Sequence, residues 1–141
     1  MIVIVCLDKD NGMLFHNRRQ SRDREVGKKL QQICKGKKLW MNSYSSPLYG
    51  QMGFVETSIS DYFLWEAGIG EFCFAESDKL KRFEEKIEAL IVFRWDRKYP
   101  ADVYLDLDLH SWKLTGTQEF AGYSHEKITE EIYVKGDGND A

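Results

Sequence analysis

The chain of 141 residues is about one domain long, enough to bury a core without disulfides or metals. Hydrophobic residues at 43% and aromatic residues at 13% exclude a disordered chain. A formal net charge of -3, with both signs interspersed, excludes a global field that would draw the chain to nucleic acid or an anionic membrane.

Residues 2 to 7, IVIVCL, form a continuous β-branched run closed by the turn signal DKDNG, so a central strand buried on both faces is predicted. The run MIVIVCL has no basic flank and is too short for a signal or spanning segment. A loop over 8 to 20 should follow. Val26, Leu30 and Ile33 then recur at helical spacing from Ser21 to about Cys34, with Ser21 or Asp23 as cap and Gly36 as stop. KKLWMN reads as a second strand, and SYSSPLYGQMG as a connection with at most one helical turn before Pro47 breaks it.

SISDYFLWEAG predicts a small helix capped by Ser60, and GEFCFA a buried strand. Leu80, Phe83, Ile87 and Leu90 mark one face of a helix from Asp78 to Glu88, which passes into the strand of IEALIVFRW. This alternation of strand and helix implies a mixed, mainly parallel sheet with helices on both faces. After Pro100, VYLDLDL, WKLTGTQEF and EKITEEIYVKG read as strands of an antiparallel C-terminal end. The result is one α/β domain over 1–135 with a flexible polar tail over 136–141. Cys6, Cys34 and Cys73 are odd in number, and Cys6 and Cys73 fall in apolar runs. They are expected to be free thiols, with Cys6 and Cys73 buried, in a cytoplasmic protein.

Taken in order, these segments resemble dihydrofolate reductase. IVIVCLDKDNGMLFHN is similar to that family's first strand and following loop, KGKKLWMNSYSS to its glycine-lysine turn and second strand. ADVYLDLDLHSWKL and EFAGYSHEKITEEIYV are similar to its last strands. The resemblance implies a pterin and NADPH cleft bordered by Cys6, Leu7, Val26, Leu30, Met41, Ser45 and Phe93. It also exposes departures. A tight glycine pair that lets backbone N–H groups meet the cofactor diphosphate is replaced by Ala75-Glu76, whose carboxylate would oppose an anion. Glu76 is expected to cap the helix after it. The family's cofactor arginine falls at Ser43, its pterin acid at Val26 and its supporting threonine at Phe93. Between Ser46 and Phe54 the chain reads as too short for one of the family's strands.

Some residues keep chemical potential. Asp23 shares a helix face with Val26 and Leu30, where it could serve as a general acid or as a plain helix cap. Arg18, Arg19 and Arg22 surround a helix start and could grip an anion, or form a solvated mobile loop. Asp106, Asp108 and His110 alternate in YLDLDLH, a spacing that suits the wet face of an edge strand and, as a lesser alternative, the ligands of a metal-dependent hydrolase. His16 and His125 are too distant in sequence to join them, so no metal site is expected. No phosphate loop, nucleophile elbow or Cys-x-x-Cys motif is present. The sequence thus points away from an enzyme, to a dihydrofolate-reductase-like ligand-binding or interaction module with no cofactor expected. Its partner would be a small molecule or a protein, with no nucleic acid and no membrane. An NADPH-dependent reductase of a flat heterocycle is the alternative.

Overall fold

The computed structural model describes residues 1–50, 53 and 55–136. Strand β1 (Ile2–Leu7) is central, as its sequence demands: Val3, Ile4, Val5 and Leu7 have no exposed surface. It runs parallel to both its neighbours, β6 (Phe72–Phe74) and β7 (Ala89–Arg94), with Val3 opposite Cys73 on one side and Leu90 on the other. Beyond β6 lie β4 (Lys38–Met41) and β5 (Glu56–Ile59), also parallel. Beyond β7, β10 (Ile128–Lys135) and β9 (Trp112–Phe120) form the expected antiparallel end, giving the order β5-β4-β6-β1-β7-β10-β9.

Both faces of the sheet are covered, because alternate residues of β1 and β7 point to opposite sides. On one face, helix α1 (Arg24–Ile33) and the short α2 (Ser46–Tyr49) bury Val26, Leu30 and Tyr49 against Ile4, Met41 and Phe93. On the other, α3 (Phe63–Glu66) and a 3-10 helix (Lys81–Lys86) bury Phe63, Leu64 and Phe83 with Val3, Val5 and Val92. Among the described residues no helix is long and apolar enough to cross a membrane.

The segment over 8–20, expected as a loop, is instead a hairpin. Strands β2 (Gly12–Phe15) and β3 (Arg18–Arg19) pair across His16 and Asn17, whose φ values of 51° and 61° suit a tight two-residue turn. β2 also pairs with β8 (Val103–Tyr104) in a second small sheet. Asp8 anchors the base of this arm: its carboxylate accepts from the N–H groups of Asp10, Gly12 and Tyr99 and from the Gln20 amide.

Other expectations need correction. The helix predicted from Asp78 to Glu88 is only the 3-10 helix, with the Asp106 carboxylate accepting from the N–H groups of Leu80 and Lys81 at its start. Pro47 lies in the first turn of α2 rather than ending it, since a missing N–H costs nothing there. β5 follows a segment read as too short for a strand; of that segment, residues 51, 52 and 54 lie outside the described residues. VYLDLDL contributes only the two residues of β8. The cysteines are free, with Cys34 and Cys73 buried, whereas Cys6 is half-buried. Of the polar tail, residues 137–141 lie outside the described residues.

Candidate functional site

In an open α/β sheet, ligands enter beyond the C-terminal ends of parallel strands, where successive crossovers leave in opposite directions. That point lies here between β1 and β6. From β1 the chain crosses toward β4, and from β6 it crosses back past β1 to β7. The residues just past these strand ends therefore form the crevice: Asp8, the stretch from Asn42 to Ser45, and Ala75-Glu76.

Glu76 is buried and does not cap the helix after it. Its carboxylate turns into the crevice and accepts Arg19 Nε at 2.7 Å, Arg19 Nη2 at 2.9 Å and Ser45 Oγ at 2.8 Å. Arg19 arrives from β3, so the hairpin delivers the cation across the sheet's open end. Its guanidinium lies 4.7 Å from the Tyr44 ring centroid, and the backbone N–H of Arg19 donates to the Tyr44 hydroxyl at 3.0 Å. What remains under the arm, between Cys6, Met13, Arg19, Glu76 and Trp95, is a cavity of about 10 Å3. That is room for about one water. Burial, reinforced by the Glu76 charge, pushes the Cys6 thiol far up, so it is protonated and inert.

A second cluster joins the start of α1 to the approach to β10. Asp23 is the N-cap of α1, accepting from the N–H of Glu25 at 2.9 Å. The same carboxylate accepts from the N–H groups of Tyr123 and Ser124, from Ser124 Oγ and from His125 Nδ1, the last at 2.9 Å. Burial acts to raise the Asp23 pKa, but these hydrogen bonds outweigh it and hold the carboxyl well below the usual range. His125 is buried and stacks on Trp95 at 4.7 Å between centroids. Its Nε2 lies 2.9 Å from Ser21 Oγ and 3.1 Å from the Tyr99 hydroxyl.

The structure separates the residues that the sequence grouped. Leu7, Val26, Leu30, Met41 and Phe93 are fully buried core residues, and Ser45 is fully buried against Glu76. Of the expected cleft, Cys6 borders the small cavity under the arm. Val26 is not available to a ligand, while Asp23, considered as a general acid, is fully occupied as an acceptor. Arg18 and Arg22 are exposed and, with Arg19, Ser21, Tyr44 and Ser124, line an open groove of about 680 Å3. Asp106, Asp108 and His110 do not converge: Asp106 caps the 3-10 helix at Lys81, and Asp108 caps the one at Leu109–Ser111. Among the described residues no three His, Cys, Asp or Glu side chains stand together as metal ligands. The sequence reading missed His125 as Asp23's partner, and the only signal available was a histidine in a polar segment before the last strand.

No protein-family model matches the chain, and no curated protein matches it by sequence. Its fold nevertheless has solved counterparts. It is similar to a dihydrofolate reductase from Enterococcus faecalis, a structure complexed with NADP(H) and RAB-propyl, with a TM-score of 0.67 at 10% identity over 96% of each chain. The architecture is thus dihydrofolate-reductase-like.

Proposed function

We propose that this protein is a dihydrofolate-reductase-like module that has given up NADPH-dependent folate reduction and binds a small anionic ligand in the arginine groove. The observation that carries the reading is the Glu76 carboxylate at the end of β6, tied to Arg19 and Ser45. A cofactor diphosphate brought there would meet a carboxylate in place of backbone N–H groups, and the arm that holds Arg19 covers the space a ring would need. Leu7, Val26, Leu30, Met41 and Phe93 support the same reading because their burial in the core leaves no cleft between them.

The groove supplies the alternative binding surface. Arg18 and Arg22 present guanidiniums with no carboxylate partner among the described residues, and Tyr44 and Ser124 add hydroxyls within the same depression. Such a set suits a carboxylate or phosphate on a small organic molecule. The test uses two readouts. Citrate should raise the melting temperature saturably in the native protein and fail to do so in an Arg18→Ala/Arg22→Ala variant. NADPH oxidation in the presence of dihydrofolate should stay at background. Saturable oxidation overturns the reading.

A further inference from the structure

We propose that Ser21, His125 and Asp23 form an acyl-transfer centre that hydrolyses small carboxylic esters bearing a negative charge. The three side chains stand in the relation that activates a serine: Ser21 Oγ at 2.9 Å from His125 Nε2, and His125 Nδ1 at 2.9 Å from Asp23 Oδ2. An ionised carboxylate can only accept, so Nδ1 carries the hydrogen and Nε2, shared at 2.9 Å with Ser21 Oγ and at 3.1 Å with the Tyr99 hydroxyl, is the side of the ring that takes the Ser21 proton. The base is also held in place. Trp95 stacks on one face of the imidazole, and Asp23 is fixed by the N–H groups of Glu25, Tyr123 and Ser124.

Only the nucleophile needs access to substrate, and the burial follows that requirement. Asp23 and His125 are 3% and 4% exposed, whereas Ser21 is half-buried and borders the open groove. Among the described residues no protein acceptor takes the N–H of Ser21 or Arg22, so two backbone donors adjacent in sequence to the nucleophile are unspent. Arg18 and Arg22 line the same groove and set the preference for an acyl or alcohol part with a negative charge.

The chemistry balances with water as the only co-reactant. Ser21 Oγ bonds to the ester carbonyl carbon while its proton passes to His125 Nε2. The bond to the leaving alkoxide breaks, and that oxygen takes the proton from Nε2. Water then attacks the acyl-serine, giving a proton to Nε2; the carboxylic acid departs and the proton returns to Ser21. Asp23 is a positioning residue that orients the imidazole and stabilises its charged form. The substrate preference, though not the triad, rests on the proposed reading of the groove as an anion site.

The experiment uses the whole protein with diisopropyl fluorophosphate, p-nitrophenyl acetate and the mono-p-nitrophenyl ester of succinic acid. The phosphorylating probe should form one adduct, with loss of fluoride, mapped to Ser21 by mass spectrometry and absent from Ser21→Ala. Ser21→Ala should lower kcat/KM for both esters by at least roughly a hundredfold. Asp23→Asn should lower kcat with KM unchanged, a split that loss of packing would not give. Arg18→Ala/Arg22→Ala should raise KM for the charged ester only. An adduct elsewhere, no adduct after prolonged exposure, or equal hydrolysis by Ser21→Ala overturns the triad, even if citrate binding leaves the groove reading intact. Ser21-dependent hydrolysis with no preference for the charged ester overturns the substrate assignment and leaves the triad, while the groove reading stands or falls with the citrate test.

Discussion

Arg19 and Glu76 meet through two parallel hydrogen bonds, Nε to Oε2 at 2.7 Å and Nη2 to Oε1 at 2.9 Å. The pair joins β3 of the β2–β3 arm to the end of β6, so it is both a structural clasp and the lid of the crevice. A planar guanidinium suits this task because its donors match both carboxylate oxygens at once.

Breaking the clasp from one side leaves a buried charge without its partner. Arg19→Ala is therefore expected to destabilise the fold by about 3 kcal/mol, at the low end for buried pairs because Arg19 keeps some solvent contact. Replacing both residues together by leucine should recover most of that loss. Urea denaturation of the two variants checks this; equal destabilisation would mean that the ion pair contributes little beyond packing.

Acid should attack the same half of the molecule. Burial acts to raise the pKa of Asp8, but hydrogen bonds from the N–H groups of Gly12, Asp10 and Tyr99 and from Gln20 outweigh it, so Asp8, like Asp23, lies below its ordinary value. A carboxyl whose folded pKa is depressed below an unfolded value of about 3.9 contributes stability that is present above that value. The contribution is lost as pH falls through the folded pKa. Denaturation curves should thus show stability declining below about pH 4, and Asp23→Asn should flatten part of that slope while costing about 2 kcal/mol at pH 7. An unchanged acid slope in Asp23→Asn would show that the carboxylate is not held as described.

The parts of the fold that the sequence revealed are those whose cause is local. IVIVCL could only be a strand buried on both faces, and α1 announced itself by its apolar spacing and the Asp23 cap. The segment from Asp78 misled because apolar residues spaced by three and four, Leu80, Phe83 and Ile87, suit a 3-10 helix almost as well as an α-helix. Its start is also held by a partner no local pattern announces: Asp106, more than twenty residues downstream, takes the first N–H groups. The site was less legible still. Arg19 and Glu76 lie 57 residues apart and Asp23 and His125 lie 102 apart, so no motif spacing can announce either pair. Reading Glu76 as a cap followed from assuming that an α-helix began beside it.

The thiols should be silent in the native state. Burial pushes Cys34 and Cys73 up to about 12, and burial with the nearby Glu76 charge pushes Cys6 up as well. Thiolate is the reactive form, so Ellman's reagent at pH 8 should find almost none in the native protein and all three after denaturation. Rapid native labelling of one cysteine would show that Cys6 is reached from the crevice, which would contradict its closure by the Arg19 arm.

Gly122 offers the sharpest test of the Asp23 network. A Cβ at that position would sit 2.7 Å from Asp23 Oδ2, 2.7 Å from the His125 carbonyl oxygen and 3.0 Å from Ile128 Cδ1. The first two atoms cannot give way cheaply, because one is backbone and the other belongs to a carboxylate held by five donors. Gly122→Ala must therefore push the stretch from Tyr123 to His125 off Asp23, lengthening the bonds from the Tyr123 and Ser124 N–H groups. The expected loss is about 2 kcal/mol or more. Gly116→Ala is the control, since its Cβ would meet Ile132 only at 3.8 Å, ordinary contact on an antiparallel strand, and should change stability by less than about 0.5 kcal/mol. The imidazole NMR signals of His125 should move in the first variant and stay in place in the second. Should Gly122→Ala melt with the native protein and leave His125 unmoved, the segment before β10 is not locked to Asp23, and the geometry that aims His125 at Ser21 goes with it.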